Sequence, residues 1–574
     1  MVSKKSKYLF FWLPYDVKYS YETFLTAFYL SVKRFPSDDA LHIGHEKIFQ
    51  SVPSHIPNNW LQDFNSSLPT DDELKNLDKI LWTNEVFSTL EQEVKSKNIV
   101  WEHILTREYE PLMKLFEEQL QEIRNDCDVK AIVLWSNCPS IKAIAKKYNI
   151  PVIHNEMGPL RGPTYLPTCY FDFSGVNGNT ESASRYENYK SAEDNYSKLG
   201  RTALLSLFLK DVKPIRNFDE YEIGVPLQVE DDSNIIAFSN GFDNTELINY
   251  SKSKYNDVLI RQHPFGRVEY KDIVTGSENY TPQEFIALCR KIITINSSMG
   301  LEAMLWGKPS EIIGDSPFAF INKYDDLFIE KLRFALLNYL VPFDFLFNKE
   351  YYDWRITFPG EDNIAEKHLF FYAESKHGWK KSNIKISEMA TDLESIYFRN
   401  LSLQFKDIEK KLNANIEKKN EELKAFNSNA ELLIIKNEIL EIKSKNKELA
   451  DQLWYHQHVL SKVYDSKSWR LTKPLRSINS LKIKWCKPIQ VRQKIMRLII
   501  AVAKKSLSNY QVRKLVVFVA KKSGLYGKLK SLYLHGVNNN KSSVVSVRDE
   551  NDNSRDTLIN MKKIKMLKKQ RGNE

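Results

Sequence analysis

The stretch IITINSSMGLEAMLWGKPSEIIG, residues 292–314, reads as a strand (Ile292–Ile295), a helix (299–306) and a second strand (Ile312-Ile313) in close succession. Towards the N-terminus, Val258-Leu259-Ile260-Arg261 and Ile235-Ile236-Ala237-Phe238 read as two further strands, with helices expected near 244–253 and 281–290. Short β-α-β units with tight connections are the pattern of a doubly wound parallel sheet. A second series fills residues 1–225. There, strand-like Tyr8-Leu9-Phe10-Phe11, Ala131-Ile132-Val133-Leu134-Trp135 and Pro151-Val152-Ile153 alternate with helical stretches at 104–124, 139–147 and 197–210. Alternation of this kind gives parallel α/β layers. Residues 325–400, rich in Phe, Tyr and Trp, read as helices packing across both lobes. A chain of 574 residues exceeds the ~250–300 that one core holds, so two globular lobes with extensions are expected.

A hydrophobic content of 42% with 12% aromatics fits a globular body. The five cysteines (Cys127, Cys138, Cys169, Cys289, Cys486) lie far apart without paired spacing, which argues against a disulfide framework or a zinc site and fits a reducing cytoplasm. The opening MVSKKSKYLFFWLP resembles a short signal peptide, but no small-residue cleavage site follows, and it reads better as a buried first strand. No stretch approaches the ~20 apolar residues of a spanning helix, so a soluble or peripheral protein is expected.

Charge is unevenly placed. From Ser466 to Arg548 there are twenty Lys/Arg and no Asp or Glu, although the whole chain carries only +10. The body is therefore acidic and the tail basic, an asymmetry that points to a polyanionic partner. Residues 401–463 contain no Gly or Pro. Their apolar residues follow heptad spacing, first Leu412, Ile416, Leu423, Phe426, Ala430 and Leu433, then Ile439, Ile442, Leu449, Leu453, Leu460 and Val463, which predicts a coiled coil. About 60 residues at ~1.5 Å each would make a rod of roughly 90 Å. Beyond it, Val491, Ile495, Leu498, Ile499, Val502 and Val512, Leu515, Val516, Phe518, Val519 alternate with Lys/Arg, and Trp469, Trp485 and Tyr510 add interfacial rings. Basic amphipathic helices of this composition lie in the headgroup plane of anionic membranes. The apolar faces are Val/Ile/Leu rather than stacking rings, which favours a membrane over nucleic acid.

The segments IRQHPFGR (260–267) and TINSSMGLEAMLWGKPSEIIG (294–314) each sit at the C-terminal end of an expected strand, where open α/β sheets place ligands. Asn296-Ser297-Ser298 turns into the helix at Met299-Gly300, and hydroxyls with free N–H groups at a helix start suit a nucleotide phosphate. Gly300 would permit close approach, and Glu302, one turn inside, would reach ribose hydroxyls. Plain N-capping by Ser297 or Ser298, a solvated turn at Asp231-Asp232 and a packed loop at His263 are the competing structural readings.

The combination of His263-Pro264, Thr294–Ser298, Gly300-Leu301-Glu302-Ala303 and Gly307-Lys308-Pro309 resembles the bacterial capsule-synthesis glycosyltransferases that use CMP-Kdo. So do Asn155–Arg161, Asp172, Gly175-Val176-Asn177-Gly178 and the run Pro226–Ser233; together these cover about 130–315. The likeness is to the retaining β-Kdo transferases, including those that cap O-antigen chains and carry a coiled coil after the catalytic domain. The segment Ser466–Arg476 is likewise similar to one found after coiled coils in polysaccharide-assembly enzymes.

The resemblance implies an α/β fold of GT-B type, two Rossmann-like lobes, followed by the α-helical coiled coil and the basic amphipathic helices. The expected division is 1–225 (acceptor-side lobe), 226–400 (CMP-sugar lobe with crossover helices), 401–463 (coil), 464–535 (membrane-binding tail) and 536–574 (polar end). It implies Asp232 as nucleophile, with Asp231 as the alternative, Glu156 as base and His263 against the departing phosphate. Arg161, Arg261 and Arg267 would meet the donor's carboxylate, and Gln228, Pro264, Asn296, Ser297, Ser298, Gly300 and Glu302 would complete the donor site. No cofactor or metal is expected. The expected partners are a nucleotide sugar, a glycan acceptor, an anionic inner membrane and further copies of the chain through 401–463, without nucleic acid. A UDP- or GDP-sugar enzyme and a non-catalytic scaffold or length ruler are the rival readings.

Overall fold

The computed structural model describes residues 4–15, 21–189, 196–211, 219–270, 280–322 and 325–425, with isolated positions at 440, 442–444 and 447. Eleven strands are formed among these residues: β1 (Lys5–Phe11), β2 (Ala40–His45), β3 (Lys79–Trp82), β4 (Cys127–Leu134), β5 (Val152–Met157), β6 (Thr168–Asp172), β7 (Tyr221–Pro226), β8 (Val258–Arg261), β9 (Cys289–Thr294), β10 (Ser310–Ile312) and β11 (Val341–Pro342). They make a seven-stranded sheet ordered β11-β6-β5-β4-β1-β2-β3 and a four-stranded sheet ordered β10-β9-β7-β8. The protein is thus mixed α/β, and both sheets lie within the compact unit that contains Met1–Asp407.

The centre of the first sheet is buried on both faces. Tyr8, Leu9, Phe10 and Phe11 run in sequence without a polar residue, as parallel strands covered by helices on each side do. Successive side chains point to opposite faces. Tyr8 and Phe10 pack with Phe28, Phe35 and Tyr352, whereas Leu9 and Phe11 pack with Trp101 and Phe116. The sheet is parallel from β3 to β5, and its last two pairings, β5 with β6 and β6 with β11, are antiparallel. The second sheet is parallel throughout.

Both sheets reverse their winding direction once. In the first, the chain steps outward from β1 to β3 and then returns to place β4 on the other side of β1. In the second, β7 is flanked by β8 on one side and β9 on the other. Ligands of doubly wound sheets bind beyond the carboxyl ends of the strands at this reversal. Trp12 and Trp135 follow the strands at the first reversal; Gln228 and Asn296 follow them at the second.

Several sequence expectations are corrected. Ile235–Phe238 is not a strand but part of the helix Ser233–Phe238. A four-residue apolar run does not by itself separate strand from helix, and tertiary contacts decide here. Asp232 caps the helix, its Oδ1 accepting from Asn234 N at 2.8 Å. Trp101 Nε1 of the helix Lys97–Thr106 donates to Ser233 Oγ at 3.1 Å. Phe238 is buried in the first lobe's core, so this helix bridges the lobes. The strand that opens the second sheet is β7, so a division at 225/226 falls at that strand's last residue. The stretch 104–124 is two helices, Lys97–Thr106 and Glu110–Asp126. The helix Ile386–Ala425 passes through 400 without a break. Apart from the isolated positions, the coil beyond Ala425, the basic tail 464–535 and the end 536–574 lie outside the described residues. Among the described residues, no helix is long and apolar enough to cross a membrane.

Candidate active site

A cavity of about 970 Å³ lies between the two reversal points. The first lobe lines it with Trp101, Trp135, Asn137, Glu156, Arg161 and Tyr165; the second contributes Gln228, Asp231, Asp232, His263, Arg267, Asn296, Ser297, Ser298 and Glu302. Ten of the expected site residues therefore share one cavity, with Asp231 beside them.

Glu156 is the last residue but one of β5, opposite Tyr170 of β6. Its Oε1 accepts the N–H of Met157 at 2.9 Å. Burial pushes its carboxyl up to about 7; the Met157 N–H and the charge of Arg161 oppose the rise, and the charge of Asp232 adds to it. The last influence crosses the cavity, since Asp232 follows β7 of the other sheet. Asp232 is fixed in orientation, because Oδ1 also accepts from Asn234 Nδ2 at 2.9 Å, and Oδ2 is the oxygen left for an incoming group.

His263 lies in the loop after β8. Its Nδ1 accepts the N–H of Phe265 at 3.1 Å, so in the neutral ring the proton sits on Nε2. Burial and the charge of Arg261 lower its pKa, against the pull of Asp232 and Glu230. The ring is therefore a neutral donor at neutral pH, suited to a phosphate oxygen.

The three arginines separate. Arg161 is anchored through Nε to Gly158 O at 2.7 Å and through Nη2 to Met157 O at 3.3 Å, and its charge reaches both Glu156 and Glu302. Arg267 pairs with Asp231 at 2.5 Å. Arg261 is buried, donates to Tyr280 O at 3.0 Å and does not line the cavity. A salt-bridged Asp231 is the poorer nucleophile of the acidic pair, and a buried Arg261 acts on the site only through its charge.

Other expected donor-site residues also make bonds within the framework. Gln228 Nε2 donates to Asn296 Oδ1 at 2.9 Å while Asn296 N donates back to Gln228 Oε1 at 3.2 Å. Asn296 Nδ2 in turn meets the carbonyls of Asn234 and Phe238 at 3.1 Å each. These two amides tie the reversal point to the bridging helix. Ser297 Oγ accepts the N–H of Met299 at 3.3 Å, ordinary capping, whereas the Ser298 hydroxyl makes no cap bond. Gly300 faces away from the cavity. A Cβ there would lie 3.0 Å from Ile312 and 3.3 Å from Thr294, so glycine lets this helix lie against β9 and β10 rather than against a ligand. Pro264 is exposed in the loop and does not line the cavity. Asp172 is a buried brace whose oxygens take the N–H groups of Ser174, Gly175 and Glu181 and the Tyr339 hydroxyl.

Glu302, 6% exposed, is also pushed up to about 7 by burial, against Tyr165, Arg161 and Arg261. Tyr165 and Gln283, which meet at Glu302, belong to no motif in the sequence, and an isolated tyrosine and glutamine give no signal to find them by. Among the described residues, no three His, Cys, Asp or Glu side chains converge as a metal ion requires.

A cavity at facing switch points, with two carboxyls of raised pKa and a neutral histidine, has the make-up of an enzyme site. Residues 5–181 match the model of the Glycosyltransferase 99 family N-terminal domain. That span holds β1–β6, Glu156, Arg161 and Tyr165, so the match falls on the first lobe. No curated protein matches the chain. Among solved structures, it is similar to the Thermosulfurimonas dismutans KpsC β-Kdo 2,7 transferase, at 17% identity over 39% of this chain and 81% of that chain, with a TM-score of 0.28. The β-Kdo 2,4 transferase of the same KpsC gives 15% identity over 38% and 78%, with a TM-score of 0.25. Scores this low establish no shared fold.

Proposed function

We propose that this chain is a GT-B glycosyltransferase that moves Kdo from CMP-Kdo to a bacterial surface glycan with retention of configuration. The observation that carries the reading is the pair Glu156 and Asp232 on opposite walls of one cavity, close enough for the charge of one to shift the other. The match of residues 5–181 supports glycosyl transfer; the donor rests on the motif resemblance at His263-Pro264, Pro226–Ser233 and 294–309.

In this reading Asp232 Oδ2 attacks the anomeric carbon of the donor sugar. The bond to the phosphate oxygen breaks, its electron pair leaves with CMP, and the Nε2–H of His263 donates to that phosphate. Arg161 faces the sugar's carboxylate, as a planar fork suits a carboxylate. The acceptor hydroxyl then attacks the same carbon, Glu156 takes its proton, and the ester electrons return to Asp232. Two inversions give net retention. A carboxyl near 7 is half ionised at neutral pH and takes up a proton with little driving-force penalty. No step calls on a metal.

The enzyme would work at the inner face of the inner membrane, held by the basic tail 464–535, with 401–463 as an oligomeric spacer that sets glycan length. Incubation with CMP-Kdo and acceptor, read by CMP release and by NMR of the new anomeric centre, tests the reading. Retention is expected, as is thermal protection by CMP but not by UDP or GDP. No CMP release alongside an active control transferase would favour the scaffold, and an inverted product would remove the nucleophile role from Asp232.

A further inference from the structure

Tyr165 belongs to the first lobe, in the loop between β5 and β6, yet its ring is 2% exposed against the second. Its hydroxyl oxygen accepts from Trp306 Nε1 at 2.8 Å and meets Gln283 Nε2 at 3.5 Å. Gln283 Nε2 also donates to Glu302 Oε2 at 3.3 Å. Gln283 Nε2 therefore bridges the tyrosine oxygen and Glu302 Oε2, and the tyrosine hydroxyl also opposes the rise of the Glu302 carboxyl's pKa. On the backbone side, Tyr165 N donates to Arg161 O at 3.0 Å, while Leu166 N meets Phe208 O and Lys210 N meets Thr164 O. The loop that presents Arg161 is therefore pinned at its far end by this tyrosine.

We propose that Tyr165 is a positioning residue that reaches across the cleft, holds the Glu302 carboxylate through Gln283 in the orientation that accepts the hydroxyls of a nucleoside, and seats the Arg161 loop at the same time. The proposal rests on the donor reading above and adds a role for a residue that contacts no reacting atom. One side chain then makes nucleotide binding depend on correct apposition of the lobes. Loss of the hydroxyl leaves Glu302 with Arg161, Arg261 and Gln283 around it and removes one of the influences holding its carboxyl down. Its protonation then moves to higher pH.

The test uses the full chain and CMP as the probe, with Kd measured across the pH range around neutrality for wild type, Tyr165→Phe and Glu302→Gln. Wild-type affinity is expected to weaken as pH falls through about 7, where Glu302 becomes protonated. Tyr165→Phe keeps the ring and should bind CMP about 10-fold more weakly at neutral pH, as loss of one hydrogen bond from the Gln283–Glu302 link implies. Its pH midpoint should lie above that of wild type, and Glu302→Gln should lose the component near 7 that Glu302 supplies. If Tyr165→Phe melts earlier yet binds CMP with wild-type affinity and midpoint, the tyrosine only packs the interface and the proposal is overturned. Wild-type protein that ignores CMP overturns the donor reading and this proposal with it.

Discussion

Glu156 and Glu302 sit on opposite walls of the cavity, and burial pushes both carboxyls up to about 7. Their attachments differ. Glu156 has a single backbone anchor at the end of β5 and stays partly open to the cavity. Glu302 is enclosed in its helix and tied to Gln283, which also meets the Tyr165 hydroxyl. A carboxyl that must accept and release a proton needs access and few partners, whereas one that orients a ligand needs fixed partners. In the proposed reading, similar pKa values accompany different work, and connectivity rather than the titration point tells the two apart.

The largest effect expected is that of Asp232→Asn. Losing the proposed nucleophile should lower transfer by at least ~1,000-fold, about 4 kcal/mol of barrier, while CMP still binds. The same change bears on the comparison, because Asp232 raises Glu156 and is not among the groups acting on Glu302. In that variant the Glu156 midpoint should fall and the Glu302 midpoint, read from CMP affinity, should stay. A variant retaining a tenth of wild-type activity would move the nucleophile elsewhere.

Glu156→Gln comes next, with transfer reduced about 100- to 10,000-fold, the range of a lost general base. In wild type the base form of Glu156 is depleted as pH falls, so the transfer step should drop about tenfold per pH unit below about 7. A flat acid limb in the wild-type pH–rate profile would remove Glu156 from the proton transfer. Gln228→Ala should act least on chemistry. It breaks the paired amides at Asn296 and should cost about 1–3 kcal/mol of stability in chemical denaturation, with the pH profile unmoved.

The second lobe was the more legible part of the sequence. Val258–Arg261 and the helix at 299 lie where their apolar runs place them, and the run at 292–295 falls on the strand Cys289–Thr294. Ile235–Phe238 was misread, since its run is as short as a strand and its helical state depends on Asp232, Trp101 and the first lobe's core. Strand Tyr221–Pro226 was missed because Gly224 and Pro226 break its apolar pattern. At the site, motif spacing brought together Glu156, Asp232 and His263 without indicating which neighbours were already occupied. Arg261, Gln228, Asn296 and Gly300 are engaged by the framework around them, which shows only once partners and distances are known. Tyr165 lies beyond sequence reasoning altogether, because its role comes from reaching into the other lobe.

The central claim is that Asp232 carries the sugar between donor and acceptor while Glu156 completes the transfer. Intact-mass measurement after brief exposure to CMP-Kdo, without acceptor, tests it most directly. Wild type should show one added sugar residue that maps to Asp232, Glu156→Gln should accumulate the same adduct and fail to discharge it to acceptor, and Asp232→Asn should show none at that position. An active wild-type enzyme that forms no adduct, or an adduct that maps to a residue other than Asp232, would contradict the account.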